Sequence, residues 1–173
     1  MWGDCFEKDF IPNLFTFANL SLGMISIMFT FNNNLKLAAI LIMSAALLDR
    51  YDGRIARKIG VSSELGKELD SLADLVSFGA APAILSWQLY LINFGLIGYI
   101  ITLLFPIAGA FRLARFNVTK FNNVFTGVPI TVAGAVVALD NLIGIYTPHQ
   151  YISTIIFIVF AYLMVSKLQI KKF

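Results

Sequence analysis

Long apolar runs separated by short polar breaks fill almost the whole chain. A helix needs about 20 mostly apolar residues to cross a bilayer, and six stretches of the sequence approach that length. The breaks contain turn-forming residues, among them Asn32-Asn33-Asn34 and Asn93-Phe94-Gly95. The pattern therefore predicts an all-α integral membrane protein with six transmembrane helices. Their expected ranges are 13–32, 36–57, 68–91, 95–117, 127–146 and 150–168.

The first twelve residues differ from these runs because apolar and charged residues are mixed in them. Trp2, Phe6 and Phe10 recur at helical spacing, which predicts a short helix lying on the membrane surface. The segment has neither the basic start nor the small-residue cleavage site of a signal peptide. No linker or repeat divides the chain, so we expect a single membrane domain. It would cover 1–173, with an interfacial segment at 1–12 and a six-helix bundle at 13–168.

Composition and charge agree with a membrane protein. Hydrophobic residues make up 58% of the chain, which leaves too few polar residues to cover a soluble globule. If the N-terminus lies in the cytosol, only Lys36 of the 13 basic residues falls outside. This asymmetry predicts a multi-pass cell-membrane protein with both termini in the cytoplasm. The net charge of +3 then suits anionic lipid headgroups rather than nucleic acid. The cytosolic basic residues are Lys8, Arg50, Arg54, Arg57, Lys58, Lys67, Arg112, Arg115, Lys120, Lys167, Lys171 and Lys172.

Four aspartates interrupt the second and third runs, where charge beside hydrocarbon is unfavourable. Asp49 and Asp52 are three residues apart and Asp70 and Asp74 are four apart, so each pair shares one helix face. At 1.5 Å per residue, Asp49 lies about 20 Å into its helix, near the inner headgroup boundary. Carboxylate oxygens suit Mg²⁺, Mn²⁺ or Ca²⁺, and zinc would favour Cys or His ligands, which the sequence does not place nearby. The four carboxylates therefore predict a site for divalent cations on the cytoplasmic side.

Small and basic residues accompany the acids. Gly53 and Ala56 share the acidic face of the second helix, and Gly66 precedes the acids of the third. Small side chains let a bulky ligand approach the backbone, and the guanidinium of Arg57 is suited to clamp a phosphate. Two metal ions about 3.5–4 Å apart can stabilise a displacement at phosphorus. An amphiphilic substrate with a pyrophosphate fits this combination. An ion transporter, whose acids coordinate a passing cation, is the alternative from another class.

The residues from Asp49 to Asp74 resemble the signature of the CDP-alcohol phosphatidyltransferase family at every position of the motif. As it stands here, the motif is D-x2-D-G-x2-A-R-x8-G-x3-D-x3-D. Eight positions with fixed gaps make a chance match very improbable. The segment Pro12-Asn13-Leu14-Phe15-Thr16 is similar to the nucleotide-contacting P-N-x-x-T segment of that family. The resemblance implies a membrane transferase that acts on a CDP-activated lipid and releases CMP.

The resemblance also implies roles for individual residues and a homodimeric assembly. Asp74 would be the general base that takes the proton from the acceptor alcohol. The ligands of two Mg²⁺ or Mn²⁺ ions would be Asp49, Asp52, Asp70 and Asp74. The CDP-lipid would be bound by Asn13, Thr16, Gly53, Ala56, Arg57, Ser63 and Gly66.

Three other segments resemble the phosphatidylserine synthase branch of the family, namely 71–79, 111–117 and Phe125-x-Gly127-x-Pro129. The resemblance implies L-serine as the acceptor and a phosphatidylserine-type product, made from CDP-diacylglycerol or CDP-archaeol. Glycerol 3-phosphate and inositol phosphate are alternative acceptors. The residues expected to hold serine at the inner end of the fourth helix are Arg112, Arg115 and Asn117, although both arginines also suit simple anchoring at the interface.

Overall fold

The computed structural model describes the backbone of residues 3–59, 64–118, 124–147, 149–166 and 169–171, with side chains at 13–51, 64–118, 127–147 and 149–166. These ranges form six helical rods and one short β-ribbon. The rods are α1 (Gly3–Phe31), α2 (Leu35–Ile59), a long third rod, α5 (Leu96–Val118), α6 (Ile130–Gly144) and α7 (Gln150–Val165). The third rod consists of α3 (Glu64–Asp74), a π-helix (Leu75–Ala80) and α4 (Ala81–Leu89), and a 3₁₀ turn (Leu91–Phe94) follows it. The ribbon pairs β1 (Val124–Thr126) with β2 (Gln169–Lys171).

Three of these rods are long and apolar enough to cross a membrane, judged on the described residues. They span Asn13–Phe31 within α1, Glu64–Leu89 and Leu96–Val118. The helices α6 and α7 are apolar but shorter, with 15 and 16 residues. The expectation of a helical membrane fold is therefore confirmed.

The outer face of α5 shows how apolar the surface of the fold is. Leu96, Ile100, Leu103, Ile107 and Phe111 follow one another at intervals of three or four residues, and each is more than half exposed. Residues at this spacing form one stripe along a helix. A continuous apolar stripe of this kind suits contact with lipid chains rather than water.

The rods follow the predicted runs closely, with three differences. The helix α1 continues without a break from Gly3 to Phe31, so residue 12 is not a helix boundary, and the surface location of 1–12 stays a prediction. The third rod begins at Glu64 rather than at 68 and changes to a π-helix after Asp74. The ribbon between β1 and β2, with Phe125 opposite Ile170, was not anticipated because three-residue strands leave too short a pattern to detect.

The turns at Asn32–Asn34 and Asn93–Gly95 are confirmed. Asn33 has a positive φ of 56°, a conformation that asparagine tolerates better than most residues. Gly95 has the same φ after the 3₁₀ turn, where the absence of a Cβ removes the strain. These turns lie at the same end of the bundle, because Gln88 Nε2 donates to Asn33 Oδ1 (3.0 Å) and Asn93 Nδ2 donates to Gln150 Oε1 (3.4 Å).

The π-helix lies at the centre of the core. Phe78 is fully buried in it, and the rings of Phe105 and Phe157 stack beside it with centroids 4.7 Å apart. The helices α1 and α6 approach the π-helix at glycines. A Cβ on Gly23 would stand 2.7 Å from Ser77 Cα, and one on Gly134 would stand 2.8 Å from Phe78 Cα. The backbone of the third rod is therefore held between α1 and α6.

Candidate active site

Three carboxylates meet where α2 and α3 face each other. Asp49 comes from α2, and Asp70 and Asp74 lie one turn apart on α3. Each offers an oxygen within 4.8 Å of the other two, as the helical spacing predicted. Asp74 is buried and the other two are half-buried. Three negative charges this close repel one another strongly when little water screens them. The all-oxygen donor set fits a divalent ion such as Mg²⁺ or Mn²⁺.

The other motif residues of α2 are described by their backbone alone. The helix continues to Ile59, so the helical spacing between Asp49 and Asp52 is maintained. The side chains of Asp52, Gly53, Ala56 and Arg57 lie outside the described residues, and so does Ser63 as a whole. Their predicted contacts with metal and CDP-lipid therefore stay predictions.

The predicted nucleotide segment lies on α1. Thr16 is buried and Asn13 is half-buried, one turn closer to the N-terminus. On α3, Gly66 is half-buried, one turn before Asp70. The residues of the predicted CDP-lipid site whose side chains the structure describes thus lie on α1 and α3, and these two helices pack against each other.

Asn19 contacts the acidic cluster and was not predicted from the sequence. Its Nδ2 donates to Oδ1 of Asp74 (3.3 Å), and its backbone oxygen accepts a hydrogen bond from Ser77 Oγ (2.9 Å). Asn19 continues the three-residue spacing of Asn13 and Thr16, which is the one signal in the sequence that points to it.

The π-helix follows Asp74 directly. Single π-helical turns within α-helices are often found at functional sites, because the extra residue redirects the side chains around it. Here Asp74 accepts a hydrogen bond from the side chain of Asn19, and Ser77 donates one to the backbone oxygen of the same residue. The π-helix therefore positions the acidic end of α3 against α1.

Among the three predicted acceptor residues, Arg112 is the one that is buried. It is 8% exposed on α5, and its guanidinium lies 5.9 Å from the centroid of the Phe116 ring. Its Nε is buried without a hydrogen-bond partner among the described residues. A buried cationic donor therefore lies on α5, which packs on the π-helix that follows Asp74.

The side chains of Arg115 and Asn117 make contacts with other helices. Arg115 donates from Nη1 to the oxygen of Val165 (3.1 Å) and from Nη2 to that of Ser166 (3.4 Å), at the end of α7. Asn117 Nδ2 donates to Glu68 Oε1 and to Ser71 Oγ, both at 3.1 Å, and so joins α5 to α3. These bonds are typical of side chains that hold helix ends in place.

An apolar groove of about 550 Å³ has Asp49 and Arg50 as its charged lining residues. Met43, Ala46 and Leu47 of α2 form one wall. Val132 and Ala135 of α6 lie opposite. A carboxylate at the edge of an apolar groove matches an amphiphile with a charged headgroup and a hydrocarbon tail.

Comparison with known proteins gives a consistent result. The family model described as CDP-alcohol phosphatidyltransferase matches residues 9–169. The CDP-diacylglycerol–serine O-phosphatidyltransferase of Helicobacter pylori strain J99 is 42% identical over 135 residues, which is 76% of this chain and 57% of that protein. The Bacillus subtilis protein of the same name is 34% identical over 166 residues, 95% of this chain and 92% of the relative. Archaetidylserine synthase of Methanothermobacter thermautotrophicus is 37% identical over 162 residues, 92% of this chain and 68% of the relative.

Proposed function

Because this chain belongs to the CDP-alcohol phosphatidyltransferase family, we propose that it transfers the phosphatidyl group of a CDP-activated lipid to the hydroxyl of L-serine and releases CMP. The observation that carries the proposal is the cluster of three carboxylates, one of which, Asp49, also lines an apolar groove. The names of the similar proteins support serine as the acceptor. One of these proteins is named for CDP-diacylglycerol and another is an archaetidylserine synthase, so CDP-diacylglycerol and CDP-archaeol are both candidate donors.

Four aspartates would hold two Mg²⁺ or Mn²⁺ ions, namely Asp49, Asp52, Asp70 and Asp74. The proposal is supported by the distance of at most 4.8 Å among oxygens of three of them and by the continuous helix that carries the fourth. When bound, the ions would neutralise the pyrophosphate and stabilise the attacking and leaving oxygens.

Asp74 would act as the general base. Its carboxylate accepts the proton of the serine hydroxyl while the serine oxygen forms a bond to the lipid-bearing phosphorus. The bond from that phosphorus to the oxygen of CMP breaks, and CMP leaves with the electron pair. A carboxylate beside a cation is a weak base, so its contribution comes mainly from correct placement. The hydrogen bond from Asn19 and the burial of Asp74 support such a placement.

The CDP-lipid would lie between α1, α2 and α3, with its chains in the groove that Asp49 lines. Arg57 would clamp a phosphate, since a guanidinium offers a fork of donors to phosphate oxygens. The remaining contacts would come from Asn13, Thr16, Gly53, Ala56, Ser63 and Gly66.

The placement in the membrane is part of the same proposal. Six spans would place the acidic site and both termini on the cytoplasmic side of the cell membrane, with 1–12 as an interfacial segment. The excess of basic residues at that end supports this orientation. Residues 1–173 would form one domain, which the single shared core supports. A homodimer is proposed on the family relationship, and cross-linking in native membranes tests it.

The function is tested by incubating the purified protein with CDP-lipid and Mg²⁺ and measuring CMP. Serine, glycerol 3-phosphate, inositol and inositol phosphate are supplied separately. We expect CMP release only when serine, CDP-lipid and metal are all present. CMP release with a non-serine acceptor alone would overturn the choice of acceptor. Cation flux through reconstituted vesicles without any CMP would support a transporter instead.

A further inference from the structure

Asn19 carries a hydrogen-bonding group that its contact with Asp74 does not use. The residue is 2% exposed, and its Nδ2 is paired with Asp74. Its Oδ1 is buried and has no hydrogen-bond partner among the described residues. Buried side-chain oxygens are nearly always paired, so an unpaired one beside a reactive carboxylate is a position for a ligand donor.

The position of this oxygen is fixed by its surroundings. Ser77 Oγ donates to the backbone oxygen of Asn19 (2.9 Å), and α1 meets the π-helix at Gly23, one turn further on. Any separation of α1 from the π-helix would lose this hydrogen bond and the close packing at Gly23. Together with the bond from Nδ2 to Asp74, these contacts hold the side-chain Oδ1 of Asn19 next to Asp74 before any ligand arrives.

Arg112, on α5, presents a donor where Asn19 presents an acceptor. Its helix packs on the π-helix that follows Asp74, and its buried Nε is without a partner among the described residues. A buried hydrogen-bond acceptor on α1 and a buried cationic donor on α5 thus accompany the same carboxylate. An amino acid has the complementary groups, because its ammonium donates and its carboxylate accepts.

We propose that Asn19 is a specificity-determining residue for the acceptor, with its Oδ1 accepting a hydrogen bond from the ammonium of serine while Arg112 binds the serine carboxylate. This inference rests on the proposed function and adds to it the reason why the site selects an amino acid as the acceptor. The serine hydroxyl then faces Asp74. Glycerol 3-phosphate has no ammonium, so its binding would leave the oxygen of Asn19 buried and unpaired. Sites of this kind discriminate strongly against analogues that lack the bonded group.

The test compares serine with 3-hydroxypropionate, which is serine without its ammonium. The variant Asn19→Leu removes the amide and keeps a side chain branched at Cγ, and the quantity measured is the ratio of kcat/KM for the two acceptors. We expect the wild type to prefer serine by about 100-fold or more, and the variant to lose at least about 10-fold of that preference. Loss of the bond to Asp74 lowers both rates together and leaves the ratio unchanged, so an equal loss for both acceptors overturns the inference.

Two further variants of Asn19 and one control variant keep the test decisive. Asn19→Asp retains an oxygen for the ammonium, so it should keep the preference for serine at a reduced kcat, and loss of that preference would overturn the inference. Asn19→Ala repeats the ratio test if Asn19→Leu does not accumulate in the membrane. Asn141→Leu is the matched control, since Asn141 is also buried and bonded to one side chain, Ser86, away from the acids. It should lower stability without changing the ratio.

The outcomes separate this inference from the proposed function. If the wild type releases no CMP with serine but does so with another acceptor, the proposed function fails. If the wild type uses serine and Asn19→Leu keeps the full preference over 3-hydroxypropionate, only the role of Asn19 fails.

Discussion

Asn19 and Asp74 are hydrogen-bonded across the helix interface at 3.3 Å, although 55 positions separate them in the chain. The bond connects α1, which carries the proposed nucleotide contacts, to α3, which carries the proposed base. Because Ser77 bonds to the backbone of the same asparagine, the π-helix is tied to this connection. The geometry of the acidic site therefore depends on how α1 packs on the third rod.

Replacement of Asp70 by asparagine should nearly abolish turnover. The change removes one charge from the group of three carboxylates and weakens its hold on a divalent ion. Even partners outside the first coordination shell are worth about 10–100-fold, so we expect a loss of more than about 100-fold in kcat. Electron paramagnetic resonance of Mn²⁺ should also show weaker binding.

Asp140→Asn is the control for that variant. Asp140 is a carboxylate that pairs with His149 (3.4 Å) near the opposite end of the bundle. It should keep both turnover and Mn²⁺ affinity. Normal activity of Asp70→Asn would contradict a metal site built on these acids.

Gly23→Ala should destabilise the protein and reduce its activity. The added methyl would stand 2.7 Å from Ser77 Cα, which is backbone and does not rotate away. Forced overpacking of this kind costs about 1–3 kcal/mol. Thermal unfolding in detergent micelles measures the effect. Gly144→Ala is the matched control, since its methyl would meet Leu89 Cδ2 at an ordinary 3.5 Å. Equal melting temperatures for the two variants would show that α1 does not pack closely on the π-helix.

The two arginines of α5 should respond differently to substitution by methionine. Arg112→Met should lose the preference for serine over ethanolamine, which lacks the carboxylate. A charged hydrogen bond is worth about 1.5–3 kcal/mol, so we expect a change on the order of 10-fold or more. Arg115→Met should lower the melting temperature, because its bonds to the end of α7 are lost. A loss of serine preference in Arg115→Met alone would reverse these assignments.

The proposed orientation predicts a labelling pattern for introduced cysteines. Cys5 is the only native cysteine, so Cys5→Ser gives a background without thiols. Lys36→Cys should react with an impermeant maleimide on intact cells, since Lys36 is exposed at the start of α2. Lys67→Cys should react only after lysis. The opposite pattern would place the acidic site outside the cytoplasm.

The sequence predicted much of the acidic site because helical spacing alone determines which residues share a face. The four-residue interval of Asp70 and Asp74 and the short connection after α2 were enough to bring Asp49 close to them. The π-helix after Asp74 could not be foreseen, because buried apolar residues on every side hide the change in helical period.

The contacts of individual polar side chains also could not be predicted from the sequence. Arg112 and Arg115 are three residues apart and differ by only about 60° around a helix. In the structure Arg115 donates to the carbonyl oxygens at the end of α7, whereas Arg112 is buried, and their spacing alone does not predict which residue does which. Asn19 has its partner 55 residues away, so local pattern could not reveal the bond.

The transfer itself is tested most directly with serine carrying ¹⁸O in its hydroxyl group. The purified protein is incubated with this serine, CDP-lipid and Mg²⁺, and both products are examined by mass spectrometry. The account predicts that ¹⁸O appears in the phosphodiester of the lipid product and that CMP is unlabelled. A lipid product without ¹⁸O, or ¹⁸O in CMP, would contradict attack of the serine hydroxyl on the lipid-bearing phosphorus.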